Sequence, residues 1–235
     1  MHTVTAAFEN TRTRRAYVAR PTDREPRGVV AVAMEIFGVN AHIEAVTRDV
    51  AALGYVAVAP DFLDGRIFDY GDLTGARAAF AGQTDESMLA DLDAALAHGV
   101  TLHGAPDARA VLGFCMGGRL AYRAACARPL RAAVCYYGGG IAVDPRPFGP
   151  PPVERTADIT GGVLLHFGAR DPFIPLDRVG IIGDALRAAG RDHALALYPD
   201  VGHGFHCPDR SDFDAVASVR AWAMTAAFLA GRMAP

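Results

Sequence analysis

A chain of 235 residues that is 51% hydrophobic and 21% charged can bury a large core, and this composition excludes intrinsic disorder. A formal net charge of −3 offers no basic surface for nucleic acid or anionic lipid, which leaves a small molecule as the expected partner. The N-terminal run MHTVTAAFENTRTRRAYVAR lacks an apolar core of signal-peptide length, and later apolar runs are interrupted before membrane-spanning length. A cytoplasmic protein is therefore expected.

In chain order, residues 2–8 and 14–19 read as an antiparallel hairpin. Residues 29–37, VVAVAMEIF, form a nearly continuous apolar run, as a strand covered on both faces would. Ile43, Val46, Val50 and Leu53 then recur at helical spacing, with Asn40 placed to cap the start and Gly54 just past the end. Residues 55–59 read as a strand closed by Pro60. A helix is predicted at about 85–98: Thr84 caps it, Asp85 and Glu86 suit its positive end, and Met88, Leu89, Leu92, Ala95 and Leu96 line one face. Strands at 109–114, 131–137, 162–167 and 193–198 alternate with helices near 117–127, 176–189 and 212–230. The last helix is expected to open with Ser211 and to carry Asp214 at its third position. Repeated strand-helix units predict a mostly parallel sheet with helices on both faces and the hairpin at its edge, all in one α/β domain spanning 1–235. The one break in composition is 139–162, whose prolines and glycines are expected to exclude helix interior and central strand. It reads either as a surface excursion or as a flap over a pocket.

The chemistry concentrates at three turns. In VLGFCMGGRL, Cys115 stands where a strand becomes a helix, with Gly113 and Gly117 two residues either side. Glycines there permit a tight, strained bend that presents the residue at its apex, as in a nucleophile elbow. The helix start also favours a thiolate, and the Met116 amide faces an oxyanion forming on a substrate. A buried structural cysteine is the plain alternative. A nucleophile in such a fold needs an acid and then a histidine on later turns. Asp171, in Ala169-Arg170-Asp171-Pro172, and His203, in Gly202-His203-Gly204-Phe205, stand in that order, so Cys115, His203 and Asp171 are expected to form a triad. Glu35 ends the first apolar strand, where a carboxylate must find a donor or become protonated. It reads equally as a structural carboxylate held by backbone amides or an arginine and as a catalytic group. The following amide, at Ile36, is placed to complete an oxyanion hole with Met116. The four cysteines, Cys115, Cys126, Cys135 and Cys207, show no CxxC pair and no framework spacing, against both disulfide staples and a zinc knuckle. His203, His206 and Cys207 lack a fourth ligand at suitable spacing, and no metal is expected.

Glu35-Ile36-Phe37-Gly38-Val39-Asn40, GYVAVAPDF at 54–62, GFCMGG at 113–118, Tyr136-Tyr137-Gly138, the Asp171 turn and GHGF at 202–205 together resemble the dienelactone hydrolases, or carboxymethylenebutenolidases, from about residue 29 onward. The resemblance implies a cofactor-free α/β-hydrolase that opens an unsaturated lactone through a cysteine thiolate in the breakdown of chlorinated or other aromatic rings. It implies that the resting thiol lies neutral against Glu35 and that substrate turns it toward His203. It implies further that the enolate leaving group helps activate the water that frees the product, and that Phe37 and Tyr137 line the acyl pocket. Family members also hold a substrate carboxylate with arginines. Here Cys207 stands where one of these would fall, with Arg210 beyond it, while Arg77, or alternatively Arg66, is the nearest candidate for the other. The natural substrate is thus left open. The leading expectation is a hydrolase of small lactones or activated esters. A thioesterase or general carboxylesterase on the same scaffold is the alternative, with a non-catalytic ligand-binding protein of the same fold behind it. Thiol-redox chemistry is disfavoured, because no resolving cysteine is close in sequence to Cys115.

Overall fold

The computed structural model describes residues 3–103, 108–143 and 149–234. Eight strands form one sheet: β1 (Val4–Asn10), β2 (Arg15–Pro21), β3 (Val29–Ala33), β4 (Val56–Pro60), β5 (Arg109–Phe114), β6 (Ala132–Tyr136), β7 (Gly162–Gly168) and β8 (His193–Tyr198). Their spatial order is β1-β2-β4-β3-β5-β6-β7-β8. β1 and β2 are the antiparallel hairpin expected at the edge, and β2 also runs antiparallel to β4; every pairing from β4 across to β8 is parallel. Residue 2, which the sequence reading placed in the first strand, lies outside the described residues.

Every residue of β3, β4 and β6 is buried, which is why these strands read as unbroken apolar runs rather than alternating ones. The described residues form six helices: α1 (Ala41–Ala52), α2 (Leu73–Ala79), α3 (Asp85–His103), α4 (Met116–Ala127), α5 (Leu176–Ala188) and α6 (Ala215–Arg232). Along β8, Leu195 points at Gly183 of α5 and Tyr198 at Met224 of α6. Alternation along a strand therefore places these two helices on opposite faces. No helix among the described residues is long and apolar enough to cross a membrane.

Local signals explain most boundaries. The Asn40 side chain accepts the Ile43 N–H at 3.2 Å to start α1, and Gly54 follows the end of the helix at φ 98°. Thr84 and Ser87 exchange side chain to backbone hydrogen bonds at the head of α3. One expectation needs correction, and two elements were not anticipated. α6 is capped by Asp214, which accepts the Ala217 N–H at 2.8 Å, and not opened by Ser211; the chain before it turns back so that the Asp214 N–H reaches the Phe205 carbonyl. α2 carries a glycine and few apolar positions, so its periodicity was too weak to announce it. The proline-rich excursion contains a 3-10 turn at Pro152–Asp158, because proline suits a first helical turn, where its missing N–H has no acceptor to lose. Residues 144–148 of that excursion lie outside the described residues.

Candidate active site

Parallel pairing brings the carboxyl ends of β3, β5, β6, β7 and β8 to one rim, and the residues that follow them are Glu35, Cys115, Tyr137, Asp171 and His203. Cys115 is the single residue between β5 and α4. It sits at φ 55° and ψ −116°, a strained conformation for a residue with a Cβ, and its N–H is pinned to the Tyr136 carbonyl at 3.0 Å. The flanking glycines are what the bend requires. A Cβ on Gly113 would overlap the Gly117 carbonyl, and one on Gly117 would overlap the Ala33 carbonyl at the end of β3. No side chain caps α4, so the amides of its first turn are left without a capping side chain at the end where the half-buried Cys115 stands.

His203 and Asp171 are both buried, and His203 Nδ1 lies 2.7 Å from Asp171 Oδ2. The carboxylate is fixed by a second bond, since Asp171 Oδ1 accepts the Phe173 N–H at 2.8 Å. Burial disfavours charge on the imidazole, but the Cys115 sulfur and the Asp171 carboxylate outweigh it and push the ring up to about 10. Cys115, His203 and Asp171 are thus brought together.

Glu35 is fully buried, and burial raises its pKa against the opposing charges of Arg210 and His203. Arg210 Nη1 donates to its Oε1 at 3.2 Å, which answers the open question of what holds this carboxylate. Among the described residues Glu35 makes no hydrogen bond to Cys115. The structure therefore differs from the resting arrangement implied by the resemblance, in which the thiol lies against the glutamate. Ile36 and Met116 line the cavity beside Cys115, and neither amide donates to a protein acceptor among the described residues.

The cavity is about 380 Å³ and mostly apolar, walled by Ile36, Phe37, Leu73, Phe80, Met116 and Phe173. Phe37 lies on its wall as expected, edge-on to Tyr70 at 4.8 Å. Tyr137 does not. Its ring is fully buried between His203, at 5.1 Å, and Phe205, at 5.5 Å, behind the wall rather than on it. Arg77, in the last turn of α2, reaches the cavity, and so does Arg210. Arg66 is not on the cavity wall, and its Nε donates to the Leu63 carbonyl at 3.1 Å. Cys207 donates to the Tyr70 hydroxyl at 3.0 Å, while the guanidinium of Arg210 lies over the rings of Phe37 and Tyr70 at 5.7 and 5.5 Å. His206 is turned into the core, stacked on Phe114 and Trp222 with its Nδ1 2.8 Å from Ser218 Oγ.

Sequence reasoning missed Tyr70, Leu73, Phe80, Arg119 and Phe173. Arg119 is the most informative of these. In the first turn of α4 it forms a buried ion pair with Asp85 of α3, and it donates to the carbonyls of Gly140 and Pro150 at 3.2 Å each, tying the proline-rich excursion to the sheet beside the cavity. A buried arginine two residues after an elbow glycine was a signal that the sequence carried, but its partner lies 34 residues away.

The family model described as "Dienelactone hydrolase family" matches residues 14–232 of this chain. A "Putative carboxymethylenebutenolidase" of Yersinia pestis is 35% identical over 213 residues, which are 88% of this chain and 79% of that protein. A "Probable 2-oxo-3-(5-oxofuran-2-ylidene)propanoate lactonase" of Bradyrhizobium sp. is 32% identical over 230 residues, 94% of this chain and 90% of its own. The crystal structure titled "Putative Dienelactone Hydrolase" from Klebsiella pneumoniae superimposes with a TM-score of 0.90 at 30% identity, covering 97% of this chain and 99% of that one.

Proposed function

The chain belongs to the dienelactone hydrolase family, whose members hydrolyse carboxylic esters, and from that premise we propose that it opens small lactones and cleaves activated esters through the thiol of Cys115. The observation that carries this reading is the meeting of a strained, half-buried cysteine with a buried imidazole whose other side is bonded to Asp171 at 2.7 Å. His203 takes or holds the thiol proton, and Asp171 fixes the tautomer and orientation of the ring. The sulfur attacks the ester or lactone carbonyl, and the resulting oxyanion is met by the amides of Ile36 and Met116. Collapse breaks the carbon–oxygen bond, His203 supplies the proton where the leaving oxygen needs one, and the acyl group stays on sulfur until water removes it. Phe37 and its apolar neighbours hold the acyl part, and Arg77, which lies on the cavity lining, meets an acidic substituent. The lactonase of Bradyrhizobium supports a lactone as substrate.

The test compares wild-type and Cys115→Ala enzyme on a dienelactone, a thioester and a p-nitrophenyl ester. The reading expects fastest turnover of the lactone, loss of all three activities in the variant, and an acyl adduct on Cys115 by mass spectrometry. A thioesterase or general carboxylesterase would reverse the substrate order. Retention of hydrolysis by Cys115→Ala would refute the thiol mechanism, and absence of any hydrolysis in the wild type would favour a binding protein.

A further inference from the structure

Phe173 is left 57% exposed beside the buried His203 and Asp171, and it lines the same cavity as Cys115 and His203. Exposure alone means little for a single apolar residue, but this one is held in place. Its N–H donates to Asp171 Oδ1 at 2.8 Å, the next residue, Ile174, is buried, and Pro175 stands at the start of α5. The ring meets the imidazole of His203 edge to face, with centroids 5.2 Å apart and planes at 82°. Tyr137 packs against the same imidazole from behind the wall, so of these two rings Phe173 is the one a substrate can touch.

The chemistry divides the cavity into two ends. His203 Nδ1 is taken by Asp171, so a proton for the leaving oxygen comes from Nε2. The leaving oxygen must then lie within hydrogen-bond reach of that nitrogen, and the group it carries extends along the wall next to His203. Phe173 is the cavity-lining ring packed there. The acyl group stays on sulfur, where Phe37 follows the Ile36 amide that meets its oxygen.

We propose that Phe173 binds the leaving group, and that the site therefore takes esters of phenols and of other flat, apolar alcohols. The inference rests on the reading of Cys115 as the nucleophile and His203 as the proton donor. An aryl ring lying against Phe173 covers apolar surface that is otherwise exposed and makes the offset or edge contacts that aromatic pairs favour. Because Phe173 is more than half exposed, it stands at the mouth, and substituents on the far side of the leaving ring reach solvent. In a lactone the carbons attached to the ring oxygen take the same place.

The test measures kcat/KM for p-nitrophenyl acetate and trifluoroethyl acetate, which form the same acetyl-enzyme and differ only in what leaves. Phe173→Ala is expected to lower the value for p-nitrophenyl acetate by about 10-fold or more, with a several-fold smaller loss on trifluoroethyl acetate. p-Nitrophenyl butyrate should lose the same factor as the acetate. Phe173→Tyr, which keeps a ring, should restore most of the rate on both p-nitrophenyl esters. Equal losses on the two acetates, or none, would overturn the proposal, since a ring that only orients His203 serves every leaving group alike. A loss that grows from acetate to butyrate would overturn it too, by placing Phe173 at the acyl chain. If Phe173→Ala does not fold, the wild type decides: competitive inhibition by phenol, stronger than by trifluoroethanol, supports the proposal, and equal or no inhibition refutes it. Failure of the thiol reading itself would look different, with hydrolysis surviving Cys115→Ala and no acetyl group on residue 115 of any form.

Discussion

The raised pKa of His203 has its causes in two neighbours that come from different strand ends. Because its pKa is raised to about 10 from an ordinary value near 6.5, the part of folding stability tied to its proton is complete below about 6.5 and is lost as pH rises through about 10. Imidazole NMR should therefore place its midpoint far above 6.5. Alkylating Cys115 should lower that midpoint, since the sulfur's charge is one of the causes; a midpoint near 6.5 that ignores alkylation would contradict the geometry. Asp171→Asn tests the other side of the ring. It keeps the shape of the contact but removes the charge and permits the wrong tautomer, and kcat should fall by about 10²–10⁴-fold. The cysteine, the acid and the histidine were legible in the sequence because each is announced by its own turn chemistry. The Glu35–Arg210 pair was not, since the two stand 175 positions apart and no local rule links them.

At the scale of elements, α4 does two jobs. Its N-terminal end presents Cys115 and the Met116 amide, and Arg119 one turn later fastens α3 and the proline-rich excursion to it. Arg119→Ala would strand Asp85 in the interior with Arg123, 3.5 Å away, as the remaining cation among the described residues, and should cost on the order of 3–5 kcal/mol in chemical denaturation. The double variant Arg119→Met with Asp85→Leu should recover most of that loss, because a buried ion pair replaced whole by apolar side chains leaves no unpaired charge. At the other end of the chain, Asp214→Ala should cost about 1 kcal/mol by uncapping α6, while Ser211→Ala should be silent. Helices with strong periodicity and local caps, such as α1 and α3, were readable from the sequence. α2 was not, because seven residues containing a glycine supply too little pattern, and its place is set by packing over the cavity mouth.

Across the whole molecule, stability is expected to peak near neutrality. His42, His166 and His206 are held neutral by burial, with pKa values lowered to about 4, 3 and 3. Their contribution is present above about 6.5 and is lost as pH falls, because the unfolded chain then takes up protons the folded one refuses. Each histidine should contribute on the order of 1 kcal/mol per pH unit below that point. Urea midpoints measured from pH 7 down to pH 5, a range above most carboxylate titration, should fall steeply; a flat profile would mean that these rings are not neutral in the fold. The alkaline loss tied to His203 sets the other limit.

What the sequence alone determined was the alternation of strands and helices, the parallel sheet with its edge hairpin, and three turn residues in the order an acyl-transfer site needs. These follow from periodicity and turn chemistry, which act over a few residues. The tertiary structure alone decided that Arg210 holds Glu35, that Tyr137 lies behind the cavity wall instead of on it, and that Arg119 anchors the excursion at 139–162. Those outcomes depend on which loops meet above the rim, and burial there makes every polar atom take a partner from wherever the fold supplies one.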